Sequence, residues 1–156
     1  MLVFLNNALL SPRELGDQIY QPTLGQVGKD VIWLPTPDAP VVRMLSATEV
    51  TKDDLVYDLG AGDGKIPIAA AKQFRAHAVG IEYNSDMAEL ARRNVARAGV
   101  ESMVKIITCD IFVEDFSKAT VITISAAGAQ SEAAADEPQV EARHARHVAS
   151  IPHGRL

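Results

Sequence analysis

Apolar residues in the middle of the chain fall into short runs of two alternating kinds. Leu55, Val56, Tyr57 and Leu59, with Asp58 among them, form a nearly continuous apolar stretch stopped by glycines. That pattern predicts a strand buried on both faces of a parallel sheet. Residues 78–83, 104–109 and 119–124 repeat it. Between these runs the spacing becomes helical. A helix is predicted over 65–74, with Pro67 tolerated in its first turn. In the next, Met87, Leu90, Ala91, Val95 and Ala98 share one face, Asn84 or Ser85 caps the start, and Gly99 ends it. An earlier short helix is predicted from Thr36-Pro37-Asp38, which supplies a hydroxyl cap, a first-turn proline and an acid near the positive helix end. Val41, Val42, Met44 and Leu45 give it an apolar face, although Pro40 removes an early donor. Strands alternating with helices predict an α/β fold with a doubly wound parallel sheet, here of about four strands.

Composition divides the chain into three zones. Residues 1–35 are rich in Pro, Gly, Gln and Asn and read as an extended lead-in. Residues 36–124 carry the periodic pattern and form the predicted domain, and 125–156 change character abruptly. With 156 residues there is room for one core. Charge of −5 offers no generic basic surface for nucleic acid or anionic lipid. A single cysteine, Cys109, cannot form an internal disulfide and fits a reducing, cytoplasmic compartment. The apolar N-terminus, MLVFLNNALL, has no cation before Arg13 and no small-residue cleavage site, so it reads as a packing segment or a start-site artefact rather than a signal peptide. No run approaches the roughly 18 apolar residues that span a bilayer.

The chemistry concentrates in Asp58-Leu59-Gly60-Ala61-Gly62-Asp63-Gly64, where a strand gives way to a helix. Open α/β sheets bind ligands at that position. Glycines there allow positive φ and a close backbone approach, while the helix start presents free N–H groups to an anion. A dinucleotide fingerprint needs a small residue five places after Gly60, and Lys65 stands there instead. Glu82 ends the second predicted strand, 22 residues after Gly60, where a carboxylate can take both ribose hydroxyls. Asp110 follows the third strand directly. Asp63 reads as a loop or cap acid, His77 as a surface loop residue, and Arg92, Arg93 and Arg97 as a solvated helix face. No metal cluster and no catalytic residue is recognisable.

An acid two residues before Gly-x-Gly-x-Gly, then acids after the second and third strands, resembles class I Rossmann-like S-adenosylmethionine-dependent methyltransferases. From about Val27 to Thr123 the chain is similar to small bacterial relatives of the mitochondrial protein-lysine methyltransferases. The likeness rests on Gly28-Lys29-Asp30-Val31-Ile32-Trp33-Leu34-Pro35-Thr36-Pro37, the glycine loop, Gly80-Ile81-Glu82-Tyr83-Asn84, Asp110-Ile111-Phe112 and Ala119-Thr120-Val121-Ile122-Thr123. The resemblance implies S-adenosylmethionine as cofactor, held by Asp58, Gly60, Gly62 and Gly64. Glu82 would take the ribose and Asp110 the adenine amine, with Ile111 on the ring. Thr36 and its neighbours would close over the cofactor. The acceptor is open, with protein lysine suggested by the resemblance alone. A non-catalytic remnant of the same fold, or a fragment of an NAD-binding oxidoreductase, are the competing readings.

After Thr123 the family continues with a Leu-Leu-Pro-Glu-Leu-Asn-like segment, and this chain departs. Residues 125–156 hold nine alanines, three of the four histidines, and no Phe, Tyr or Trp. No strand or amphipathic helix is legible in them, which predicts an irregular, disordered tail. The fourth strand would then be an exposed apolar edge. Residues 125–132 can be encoded as TCT GCT GCC GGA GCT CAA TCT GAG. Dropping the first nucleotide gives CTG CTG CCG GAG CTC AAT CTG, which reads LLPELNL. The tail therefore reads as family sequence translated in a shifted frame, with the synonymous codons chosen to show it.

Overall fold

A computed structural model describes residues 16–27, 33–124 and 145–150. The elements in chain order are α1 (Asp38–Ala47), β1 (Leu55–Leu59), α2 (Lys65–Phe74), β2 (His77–Glu82), α3 (Ser85–Ala98), β3 (Val104–Thr108), β4 (Val121–Ile124) and β5 (His147–Ser150). Five parallel strands form one sheet in the order β3-β2-β1-β4-β5. The order runs outward from β1 in both directions, which is the doubly wound arrangement expected.

Strand alternation sorts the side chains into two layers. Val56, Ala78, Val104, Ile106 and Val121 pack with α1, α2 and α3 in one apolar cluster. Tyr57, Leu59, Val79, Ile81 and Ile122 form a second cluster, joined by Ile111 and Phe116 from the β3–β4 connection. Two consecutive crossovers thus lie over one face and the next lies over the other, which places the carboxyl ends of β1 and β2 beside the reversal in strand order.

Of three local details, two differ from the sequence-based expectation and one, the cap of α3, agrees with it. Pro37, not Thr36, is the N-cap of α1, and no side chain caps that end. Asn84 is the cap of α3, its Oδ1 accepting from Met87 N at 3.0 Å. His77 opens β2 instead of sitting in a loop, while its side chain remains exposed.

The expected four strands are five. Part of the tail, residues 145–150, is ordered enough to pair β5 with β4 through Val121↔His147, Ile122↔Val148, Thr123↔Ala149 and Ile124↔Ser150. β4 is therefore an inner strand, not an edge. Backbone hydrogen bonding carries this pairing, since among the described side chains of β5 only Ala149 joins the core. Its start is anchored by Arg146, whose N donates to the Thr120 carbonyl at 2.7 Å and whose guanidinium donates to Asp54. Buried Asp54 also accepts from Thr120 Oγ1 at 2.7 Å and from Thr51 N at 2.8 Å. Burial pushes its carboxyl up, but the bonds from Thr120, Thr51 and Arg146 outweigh that and hold it at about 2. The expectation of disorder over 125–144 and 151–156 lies outside the described residues.

Candidate functional site

The glycine loop leaves β1 at Leu59 and enters α2 at Lys65. Gly60, Gly62 and Gly64 all have positive φ, at 83°, 54° and 83°. The bend therefore needs glycine at each place, and each reading of these residues as turn formers holds. Their surroundings differ. A Cβ on Gly60 would meet nothing within 4 Å, whereas one on Gly64 would lie 3.2 Å from the Ala91 Cβ on α3. Gly60 is thus the open position of the loop and Gly64 the packed one. Gly60 N and Ala61 N both donate to the Ile81 carbonyl at 2.9 Å, which ties the loop to the end of β2.

Glu82 takes the second tie. Its Oε2 accepts from Gly62 N at 2.8 Å and its Oε1 accepts from Asn84 N at 2.9 Å. One carboxylate therefore links the glycine loop to the cap of α3. Each of its oxygens has a further lone pair for an outside donor.

Asp58 lies in the middle of a cross-sheet row that reads Ile106, Gly80, Asp58, Thr123, Ala149 by register. Thr123 Oγ1 donates to Asp58 Oδ1 at 2.7 Å, both side chains being buried. Asp58 Oδ2 has no partner, and among the described residues it is the single buried side-chain oxygen or nitrogen in that state. Burial pushes this carboxyl up to about 7; the Thr123 bond works against that, and the charges of Glu82 and Asp63 add to it. Such an acid lacks a donor, and a cationic hydrogen-bond donor brought to it would complete its coordination.

Asp110 follows β3 and its Oδ1 accepts from Phe112 N at 3.1 Å, a turn bond that also fits the competing reading of this acid as a local cap. Ile111 is partly buried against the second core cluster. Cys109 N donates to the Glu82 carbonyl at 3.1 Å, so Asp110 starts one residue beyond a backbone bond to Glu82. Thr36 is buried, and its carbonyl accepts from Lys65 Nζ. Asp63 acts locally, its Oδ1 accepting from Lys65 N at 3.3 Å. The structure therefore brings Asp58, Gly60, Gly62 and Glu82 together directly, with Thr36 reaching the loop through Lys65.

The contacts of three side chains were missed by sequence reasoning. Thr123 carried a readable signal, a hydroxyl within an apolar strand, which needs a buried acceptor. Arg93 and Arg97 carried none. The face they form is not merely solvated: Arg93, 24 % exposed, and Arg97, 52 % exposed, each donate to Asp17 at 2.6 Å, across 76 and 80 residues. Asp17 is drawn well below the ordinary carboxylate range, chiefly by Arg93. Among the described residues no cluster of His, Cys, Asp and Glu is arranged to hold a metal, and no helix is long and apolar enough to cross a membrane.

Known proteins share this architecture. A curated protein-lysine N-methyltransferase of Saccharolobus islandicus (strain REY15A) is 44 % identical over 95 residues, covering 60 % of this chain and 59 % of that protein. The crystal structure of an RNA methyltransferase from Salinibacter ruber in complex with S-adenosyl-L-homocysteine is 44 % identical, with a TM-score of 0.59 and coverage of 60 % and 61 %. A methyltransferase structure from Thiobacillus denitrificans, at 24 % identity and a TM-score of 0.55 over 64 % of this chain and 40 % of that one, shares the fold. The chain spans about three-fifths of the length of the first two relatives. The ANTKMT methyltransferase domain model matches residues 58–152, from the acid that opens the glycine loop to beyond β5, and the chain belongs to that family.

Proposed function

We propose that this chain binds S-adenosylmethionine at the carboxyl ends of β1 and β2 and serves methyl transfer to a protein lysine. The observation that carries the reading is the loop itself. Gly60 is left open, Glu82 is tied to Gly62, and Asp58 Oδ2 waits for a donor. An amino acid joined to a nucleoside offers groups that suit this loop: an ammonium for Asp58, ribose hydroxyls for Glu82, and a carboxylate for the positive end of α2 beyond open Gly60. Asp110 and Ile111 are assigned to the adenine, Thr36 to the cover, and Gly64 to the packing that holds the bend.

When bound, the cofactor supplies an electrophilic methyl carbon on a sulfonium, with a neutral thioether as leaving group. A lysine nitrogen held in line with that carbon would displace the thioether and release one proton to solvent. The residues of this chain contribute orientation and exclusion of water, which are the main sources of rate in such a displacement. No general base is assigned.

Two observations support lysine over RNA as acceptor. The 44 % identical curated relative is named a protein-lysine methyltransferase. A net charge of −5 also suits a cationic segment better than a phosphate backbone. The Salinibacter neighbour, named an RNA methyltransferase, keeps the second acceptor in view. A lone cysteine, partly buried at Cys109, supports the cytoplasm as its place. Lys65, engaged with Thr36 where a dinucleotide site needs a small residue, weighs against NAD.

Calorimetry of the 156-residue chain with S-adenosylhomocysteine and with NAD tests the cofactor. Micromolar binding of the first and none of the second is expected, on the order of 8 kcal/mol. Binding of NAD in preference would overturn the reading. Labelled methyl appearing on protein from a cell extract, but not on its RNA, tests the acceptor. Binding without turnover would instead identify a non-catalytic remnant.

A further inference from the structure

Lys65 breaks a local rule. It is the first residue of α2, where the helix dipole is positive and acids are favoured, yet the first turn holds this cation and no acid. Its side chain is only 15 % exposed, so little water remains around the charge. Both circumstances oppose an ammonium. A residue that violates its local preference marks a functional constraint more often than a packing one. What Lys65 gains lies on the lead-in. Its Nζ donates to the carbonyl of buried Thr36 and stands 3.5 Å from Asp38 Oδ1.

The same segment meets the glycine loop a second way. A Cβ built on Gly62 would lie 2.8 Å from Trp33 Nε1 and 3.3 Å from Trp33 Cδ1. The indole edge therefore occupies room that only glycine leaves. The backbone of Trp33 is itself paired: Gly25 N donates to its carbonyl at 3.0 Å, and its N donates to the Gln26 carbonyl at 2.9 Å. Further up the chain Asp17 is bound by Arg93 and Arg97 of α3. The lead-in is thus fastened to α3 at Asp17, residues 36–38 directly after it are fastened to α2 at Lys65, and Trp33 lies between those points in sequence.

We infer that Lys65 is a positioning residue, whose ammonium pins residues 33–38 against the Gly60–Gly64 loop so that a ligand on the loop is shielded from water. It acts through Thr36 and Trp33 and touches no ligand in this assignment. The inference rests on reading the loop as a cofactor site, but its first test does not.

Trp33 is the only tryptophan, so its fluorescence in ligand-free protein reads the segment directly. Lys65→Met keeps the apolar stem and removes the charge, while Lys65→Arg keeps a charge-assisted donor. Acrylamide quenching of Trp33 is expected to rise about twofold or more in Lys65→Met, and to stay near wild type in Lys65→Arg, because only the first loses a charge-assisted bond. Affinity for S-adenosylhomocysteine should fall about tenfold in Lys65→Met and recover in Lys65→Arg. Wild-type quenching in a Lys65→Met protein with native circular dichroism overturns the proposal. Should that variant not fold, Asp38→Asn decides, since it keeps the fold of the exposed first turn of α1 and removes the charge 3.5 Å from the Lys65 ammonium. Raised quenching there supports the latch, and unchanged quenching overturns it. If wild-type protein binds no S-adenosylhomocysteine while Trp33 responds as expected, the cofactor reading falls and the latch stands.

Discussion

Asp58 has given up its water without gaining a full set of partners. Thr123 satisfies one oxygen at 2.7 Å and nothing satisfies the other, so burial raises the carboxyl to about 7. An acid whose folded-state pKa is raised binds its proton more tightly in the folded protein than in the unfolded one. Its contribution therefore favours folding below about pH 4 and is progressively lost as pH rises to about 7. Asp58→Asn should consequently raise the melting temperature at pH 8 and change it little at pH 4, as thermal unfolding at the two values will read. An ammonium donor reverses the balance by favouring the ionised form. Affinity of the wild type for S-adenosylhomocysteine should climb by up to about tenfold per pH unit below about pH 7 and level off above it. In Asp58→Asn the slope should vanish and affinity at pH 8 should drop by about tenfold or more, the loss expected for a hydrogen bond to a charged group. A slope that persists in Asp58→Asn would exclude this residue as its source. The position of Asp58 was legible from the chain, because an acid inside an apolar strand just before a glycine bend has few other uses. Its missing partner was not, because Thr123 lies 65 residues away and only strand order brings the two into register.

Elements were legible where one periodic signal governs them and obscure where distant segments meet. α3 shows both. Its apolar face, its Asn84 cap and its Gly99 end follow from local spacing and cap chemistry. Its arginines looked solvated by the same logic, and the partner that engages them, Asp17, sits in a segment with no periodic pattern at all. β2 gives a comparable case through Gly80, which the sequence places within an apolar run and within the family-like Gly80-Ile81-Glu82-Tyr83-Asn84 stretch without showing what it packs against. A Cβ there would lie 2.8 Å from both Ala61 Cβ and Ile106 Cδ1 and 3.2 Å from Pro67 Cγ. The strand therefore uses glycine to let the loop and the start of α2 approach the sheet, a close approach that determines where Gly60 and Gly62 stand. Gly80→Ala should overpack this junction and lower unfolding stability by ~1–3 kcal/mol in a urea titration. Because Ala61 belongs to the loop, ligand affinity should weaken in the same variant even at temperatures where it remains fully folded. A variant as stable as wild type would mean that Ile106 yields freely and that the approach is looser than these distances imply.

At the scale of the whole molecule, the tail separates what backbone pairing can do from what side chains specify. β5 adds four paired residues to β4, and the family match extends through residue 152. Yet among its described side chains β5 offers the core only Ala149, and Val148 on it is 64 % exposed. A parallel edge strand asks little of its sequence, since its N–H and C=O groups are the same for any residue but proline. The alternation that makes a strand legible is therefore absent, and 145–150 could not be foreseen as a strand. The composition of residues 125–156 sets them apart from the domain that precedes them, and although the family match in the present frame runs to residue 152, we propose that they are family sequence read in a neighbouring frame. The gene decides this directly. Its nucleotides across the codons for 125–132 should read LLPELNL when the first of them is skipped. Expression of the chain with that frame restored should add apolar side chains to the face now served by so few on β5, and the melting temperature should rise by several degrees, since ~1 kcal/mol shifts a midpoint by about 2–8 °C in domains of this size. Nucleotides that give no such peptide in the adjacent frame would end the idea, and β5 would then be the chain's own edge to the sheet.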